Sequence, residues 1–251
     1  MGQNSDGIYA ASLGGGGSRG HSGAITSTNG AQGGKGGAIV INNQASISTL
    51  GKGAQAIYAE SSGGSAGDGG GAAINIIARG SSGGRAGLGG NVTVNQQGGT
   101  LETAGDDSHV IVAQSIGGTR GEMIDTDFSA DNTQKVYALG GVNGAPDDGN
   151  ASTGRVIVNS QGNLLSKGNH ASAVIAQSIG GGGGMGGSSF GFVAIGGTAG
   201  ASGDGGAVNV TNRGLMATEG EFSPTIIAQS IGGGGGLGGG LPVRWWVCPI
   251  S

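Results

Sequence analysis

Four short stretches of the chain alternate apolar and polar residues directly behind a glycine: GAIVINN (37–43), GNVTVNQ (90–96), GRVIVNS (154–160) and GAVNVTN (206–212). In an extended chain successive side chains point to opposite faces, so Ile39 and Ile41, Val92 and Val94, Val156 and Val158, and Val208 and Val210 each share one face of a predicted strand. A second set of short alternating stretches follows: SIST (46–49), TLET (100–103), LLS (164–166) and LMAT (215–218). A third is the most conspicuous: GIYAASLGGGG (7–17), AIYAESSGG (56–64), VIVAQSIGG (110–118), VIAQSIGGGGG (174–184) and IIAQSIGGGGG (226–236).

The residues before the serine of the third set, Ala11, Glu60, Gln114, Gln177 and Gln229, are unevenly spaced, at 49, 54, 63 and 52 positions. From Gly37, Gly90, Gly154 and Gly206 to the next of these markers, however, the distances are 23, 24, 23 and 23. The return intervals, from marker to glycine, are 26, 30, 40 and 29. A block of near-constant length therefore alternates with an elastic, glycine-rich one.

Three short strands in about 23 residues make one turn of a stacked parallel structure, in which each strand pairs with its counterparts above and below. The expected fold is all-β: a right-handed parallel β-helix or β-solenoid built from about 50-residue glycine-rich repeats, about four and a half of them over residues 1–240, with flexible glycine-rich loops. Equivalent residues would lie about 4.8 Å apart in columns. That places Asn42, Asn95 and Asn159 in one column and Gln114, Gln177 and Gln229 in another, where stacked amides bond along the axis. Gly51, Gly105, Gly168 and Gly220 each precede a marker by nine residues, and a turn with positive φ is expected there. The elastic segments hold AITST (24–28), AAINII (72–77), KVYAL (135–139) and FGFVAI (190–195), read as strands of a second, looser coil. With those coils interleaved, ten or so would form a rod of about 40–50 Å.

Composition sharpens this picture. Glycine fills 64 of 251 positions, yet there are only four prolines and no strict Gly-X-Y period, so the chain is not collagen-like. Only 10% of residues are charged, too few for the usual signature of disorder. Order must come from regularly spaced small apolar residues. A net charge of −4, no basic cluster and 4% aromatics argue against a nucleic-acid partner. No run of about 18 apolar residues is present to span a membrane as a helix. The opening MGQNSDGIYAAS has neither a basic nor an apolar signal-peptide region. The single cysteine, Cys248, excludes a disulfide within the chain.

Chemistry-bearing motifs are sparse. His109 stands five residues before its marker, where the other repeats have Asp6, Gln55, Ser172 and Pro224, and so is expected at an exposed, tolerant turn position. His170 aligns with Asp107, and His21 lies in a glycine run; the spacing of a metal site is missing. GSSGG (80–84) and GSSFG (187–191) match the nucleophile-elbow pattern, but without the strand–turn–helix context it requires. AGDGG (66–70), PDDGN (146–150) and SGDGG (202–206) lack the tandem register of calcium-binding repeats and read as turn aspartates. The densest charges, RGEMIDTDFSADNTQK (120–135), read as a solvated insertion, or else an exposed binding loop. No catalytic, cofactor-binding or metal site is expected, and the chain is not expected to be an enzyme.

With these landmarks aligned, the chain resembles the glycine-rich repeat passengers of bacterial autotransporters, the type V secretion proteins of Gram-negative outer membranes. The carriers are IAQSIGGGGG at 175–184 and 227–236 and the intervening SSFGFVAIGGTAGASGDGGAVNVTNRG (188–214), and the resemblance covers about residues 4–240. It implies a cell-surface β-helical passenger exported through an outer-membrane barrel, with an adhesive role toward a host cell, matrix or other bacteria. The final residues 241–251, LPVRWWVCPIS, break the pattern, holding both tryptophans and the cysteine. They are expected to be an aberrant, frameshifted tail, or else a cap. Two other readings stand beside this one: a free-standing glycine-rich structural protein, wall-associated or ice-binding, and a polysaccharide-active β-helix enzyme, which would need Asp, Arg and Lys clustered on one face.

Overall fold

The computed structural model describes residues 3–22, 28–70, 72–79, 81–118, 153–182, 189–195 and 203–237, the strands at 72–79 and 189–195 through their backbone alone. Among the described residues are fifteen strands and no helix. In chain order they are β1 (Ile8–Leu13), β2 (Ile39–Asn43), β3 (Ile47–Thr49), β4 (Ile57–Ser62), β5 (Ala72–Arg79), β6 (Val92–Gln96), β7 (Thr100–Thr103), β8 (Ile111–Ile116), β9 (Val156–Ser160), β10 (Asn163–Ser166), β11 (Val174–Ile179), β12 (Ser189–Ile195), β13 (Val208–Asn212), β14 (Met216–Thr218) and β15 (Ile226–Ile231).

Three parallel sheets carry the stack: β1-β4-β8-β11-β15, β2-β6-β9-β13 and β3-β7-β10-β14. Each constant block of the sequence gives one strand to each sheet, and the strands pair in the register that the alignment implies. Ala59, Ala113, Ala176 and Ala228 are partners in turn, as are Val94 with Val158 and Leu101 with Leu164. The arrangement is compatible with a β-helix or solenoid. The core lies between the sheets, where Ile57, Val92, Val94, Leu101, Ile111, Val156, Val158, Leu164 and Val174 are fully buried. Each such side chain contributes roughly 1.5–3 kcal/mol by leaving water. Ala59, Ala113 and Ala176, also fully buried, keep the interior narrow.

Three expectations are corrected. The two described stretches of the elastic segments do not form coils interleaved with the three-strand layers. β5 and β12, the two that are described, pair in parallel with each other in a separate two-stranded sheet. KVYAL and most of AITST lie outside the described residues. Among the described residues the deepest sheet has five strands, a depth of about 19 Å instead of a 40–50 Å rod.

The left-handed turn position also falls elsewhere. None of Gly51, Gly105, Gly168 and Gly220 has positive φ; the column two residues further on does, at Asn4 (53°), Gly53 (68°), Asp107 (56°), His170 (53°) and Phe222 (50°). The upstream glycines are required by closeness. A Cβ on Gly105 would lie 2.1 Å from the Gly51 carbonyl oxygen, and one on Gly168 or Gly220 would lie 1.9 Å from the glycine oxygen of the layer before.

Finally, the described parts of the glycine runs are not loose excursions. Gly14, Gly17 and Gly20 donate backbone N–H bonds to Ser62, Ser65 and Asp68 at 2.7–2.8 Å, and Gly64, Gly67 and Gly70 donate to Gly34, Ala31 and Thr28 at 2.8–3.0 Å. On the returning legs Gly30, Gly33 and Gly36 donate to Ser82, Arg85 and Leu88, while Gly84 and Gly87 donate back to Gly67 and Gly64. A three-residue period without bonds inside a segment is that of polyproline II, whose backbone groups must find partners outside it. Here neighbouring glycine segments supply those partners. They approach so closely that a Cβ on Gly64 or Gly67 would stand 1.9 Å from a backbone oxygen.

Candidate functional site

The two landmarks of the repeat meet in space. The serine after the marker sits behind the glycine that begins the first strand of a layer and closes the ring between them. Ser61 Oγ donates to the Gly37 carbonyl at 2.7 Å and accepts the N–H of Gly90, one layer on, at 2.8 Å. Ser178 Oγ likewise donates to the Gly154 carbonyl at 2.9 Å and accepts the Gly206 N–H at 2.7 Å. Ser12 Oγ accepts from Gly37 N at 2.8 Å. Ser115 breaks the series: its hydroxyl is buried without a partner. Gly154 N, which would serve it, donates to the Gly89 carbonyl at 2.9 Å.

The amide columns form continuous ladders. Asn95 Nδ2 donates to Asn42 Oδ1 at 2.8 Å, and Asn159 Nδ2 to Asn95 Oδ1 at 3.0 Å, on the outer face of the β2-β6-β9-β13 sheet. Gln114 Nε2 donates to Gln177 Oε1 and Gln177 Nε2 to Gln229 Oε1, both at 2.6 Å, with Gln114 and Gln177 almost fully buried. At the head of that ladder Glu60 accepts the Tyr58 hydroxyl at 2.5 Å, and Gln114 Oε1 beside it has no partner. A ladder that sequence reasoning passed over joins Asn43 to Gln96 at 2.7 Å and Gln44 to Gln97 at 2.7 Å. Its signal was present, in the amides that end and directly follow the first strand of each of the first two layers.

The expected exposed turn at His109 is a half-buried bonding position. Its Nδ1 accepts the Ser172 N–H of the next layer at 2.9 Å, just as Asp6 Oδ1 accepts the Gln55 N–H at 2.8 Å. Burial lowers the His109 pKa to about 4, against the opposing pull of Asp107, so the ring is neutral at physiological pH. The same burial raises the Asp6 pKa, while the backbone bond from Gln55 opposes the rise. His170 stacks on Phe222 at 5.6 Å in the left-handed column, and His21 donates its backbone N–H to Thr28 Oγ1 at 2.7 Å. Among the described residues no three of His, Cys, Asp and Glu come together as metal ligands would. Asp68, in one of the Gly-Asp strings, pairs with Arg19 at 3.3 Å. Ser82, in the first nucleophile-elbow match, has its N–H bonded to Asn29, and no helix follows it. The charged stretch 120–135, PDDGN and the tail 241–251 lie outside the described residues.

Charged side chains pair across layers: Lys52 with Asp107 at 3.2 Å and Lys167 with Glu102 at 2.5 Å, in addition to Arg19 with Asp68. Four cations are exceptions: Lys35, Arg85, Arg155 and Arg213 have no acidic partner among the described residues, and two of them, Lys35 and Arg155, open onto one groove of about 680 Å³. The groove runs over three layers beside the first strands, along the glycine landmarks Gly90 and Gly154, with Asn91, Thr93, Leu88 and Ile157 in its wall.

The fold and this surface define a stacked parallel β-protein with hydrogen-bonded polar columns. No family model, curated protein or solved structure matches the chain. Among the described residues, no helix is long and apolar enough to cross a membrane.

Proposed function

We propose that this chain is the repetitive passenger of an autotransporter: a right-handed parallel β-solenoid of glycine-rich repeats, displayed at the cell surface, with a structural and adhesive role and no catalysis. The observation that carries this reading is the in-register stacking of three sheets, in which three successive layers present the same outward amide, at Asn42, Asn95 and Asn159. Such a surface suits repeated weak contacts with an extended partner on a host cell, in a matrix or on other bacteria. Export would use an outer-membrane barrel in the full-length protein.

The test is display. The chain is placed between a cleavable signal peptide and an outer-membrane barrel in a Gram-negative host. The expected result is digestion by protease added to intact cells, together with increased attachment to host cells or to matrix. Retention in the periplasm, or display that leaves attachment unchanged, contradicts the reading.

A further inference from the structure

The groove beside the first strands is rich in donors. Lys35 and Arg155 bring unpaired cations, Thr93 has a hydroxyl with no partner among the described residues, and Asn91 uses only its Oδ1, which accepts the Arg155 N–H at 2.8 Å. Among the described residues no carboxylate lines it, although the chain as a whole carries −4. Lys35 belongs to the layer of Gly37 and Arg155 to that of Gly154, two layers on, so they stand about 10 Å apart along the stack. Leu88, Ala38 and Ile157 supply apolar wall between them.

We propose that this groove binds an acidic polysaccharide, laid along the stack with successive carboxylates at Lys35 and Arg155; the proposal rests on the surface-display reading. The guanidinium fork matches a carboxylate in two bonds, the ammonium takes a second carboxylate as a point charge, and the Thr93 and Asn91 donors meet sugar hydroxyls. The apolar wall packs against the C–H faces of the rings. Contacts at two exposed cations are individually weak, so a polymer gains from engaging both at once, which a single small acid cannot do. A single-stranded nucleic acid fits less well, because among the described residues no aromatic side chain lines the groove to stack a base.

Polygalacturonate is the probe, with neutral dextran and single-stranded DNA of matched charge as comparisons, titrated into the whole chain by calorimetry. The paired variant Lys35→Gln with Arg155→Gln should weaken polygalacturonate binding about tenfold or more, a loss on the scale of one good charged contact. Arg213→Gln, which removes an exposed cation away from the groove, should change it less than twofold. Circular dichroism verifies that each variant keeps its strands. Dextran should not bind. Equal weakening by Arg213→Gln, tighter binding of DNA than of polygalacturonate, or no binding of polygalacturonate overturns the groove assignment. In those cases the display reading stands or falls on cell attachment alone. Shortening of polygalacturonate during incubation instead overturns the non-catalytic reading.

Discussion

Ser61 Oγ accepts the backbone N–H of Gly90 at 2.8 Å across one layer of the stack. The same hydroxyl donates to the carbonyl of Gly37, 24 positions upstream, so one side chain ties the start and end of its own layer to the start of the next. This explains why the block from glycine to marker is nearly constant in length while the segment outside it stretches: the serine can reach the glycine only if the three strands between them close a ring.

Removing the Ser61 hydroxyl leaves the partly buried Gly37 carbonyl and Gly90 N–H without this partner, and removing that of Ser178 does the same to the Gly154 carbonyl. Ser61→Ala and Ser178→Ala should each destabilise the protein by about 1–3 kcal/mol in urea unfolding. Ser115→Ala, at the same column but with no partner for its hydroxyl, should cost less than about 0.5 kcal/mol. Equal costs at all three positions would show that burial of the serine, and not its bonding, matters.

The Gln114–Gln177–Gln229 ladder stops at Glu60, leaving Gln114 Oε1 unsatisfied. Glu60→Gln supplies an Nε2 at the adjacent register position, so it should stabilise the fold by about 1 kcal/mol, seen as a higher urea midpoint at unchanged slope. A lower midpoint would mean that the Tyr58–Glu60 bond outweighs the ladder.

Glycine-to-alanine substitutions separate closeness from conformation. Neither Gly64 nor Gly15 has positive φ, but an added Cβ meets the Gly15 oxygen at 1.9 Å from Gly64 and nothing within 4 Å from Gly15. Gly64→Ala should cost about 1–3 kcal/mol or more by overpacking. Gly15→Ala should be neutral or stabilise by up to about 1 kcal/mol through the unfolded chain. Thermal unfolding of the two variants checks this.

His109 links stability to pH. Its pKa is about 4 in the folded chain and 6.5 when exposed, so between these values the unfolded state binds the extra proton. Its contribution is complete above pH 6.5 and is lost as pH falls toward 4, on the order of 3 kcal/mol. His109→Asn keeps a side-chain acceptor for Ser172 N without a titrating ring, and should flatten this part of the stability–pH curve. A slope unchanged in the variant would assign the dependence to other groups.

How far the sequence reveals the fold depends on whether side chains carry the signal. Ile39 and Ile41, or Val156 and Val158, announce an inward face by period two, and the stacking of Asn42 on Asn95 follows from repeat spacing alone. The glycine array is less legible because its information lies in backbone N–H groups at every third residue, within runs where further glycines blur that spacing. The left-handed column is hidden for another reason: Asn4, Gly53, Asp107, His170 and Phe222 share a backbone state and no side-chain property. The groove escapes because Lys35 and Arg155 are far apart in sequence and occupy different repeat positions, so no motif unites them.

The central claim, that constant blocks stack in register as parallel layers, is tested most directly by spin labels at Val40 and Thr93. These exposed-face positions are register partners in adjacent layers, with backbones about 4.8 Å apart. In a Cys248→Ser background, the doubly labelled Val40→Cys, Thr93→Cys chain should show strong spin–spin broadening absent from either single label. A spectrum equal to the sum of the two singles would contradict the stacked architecture.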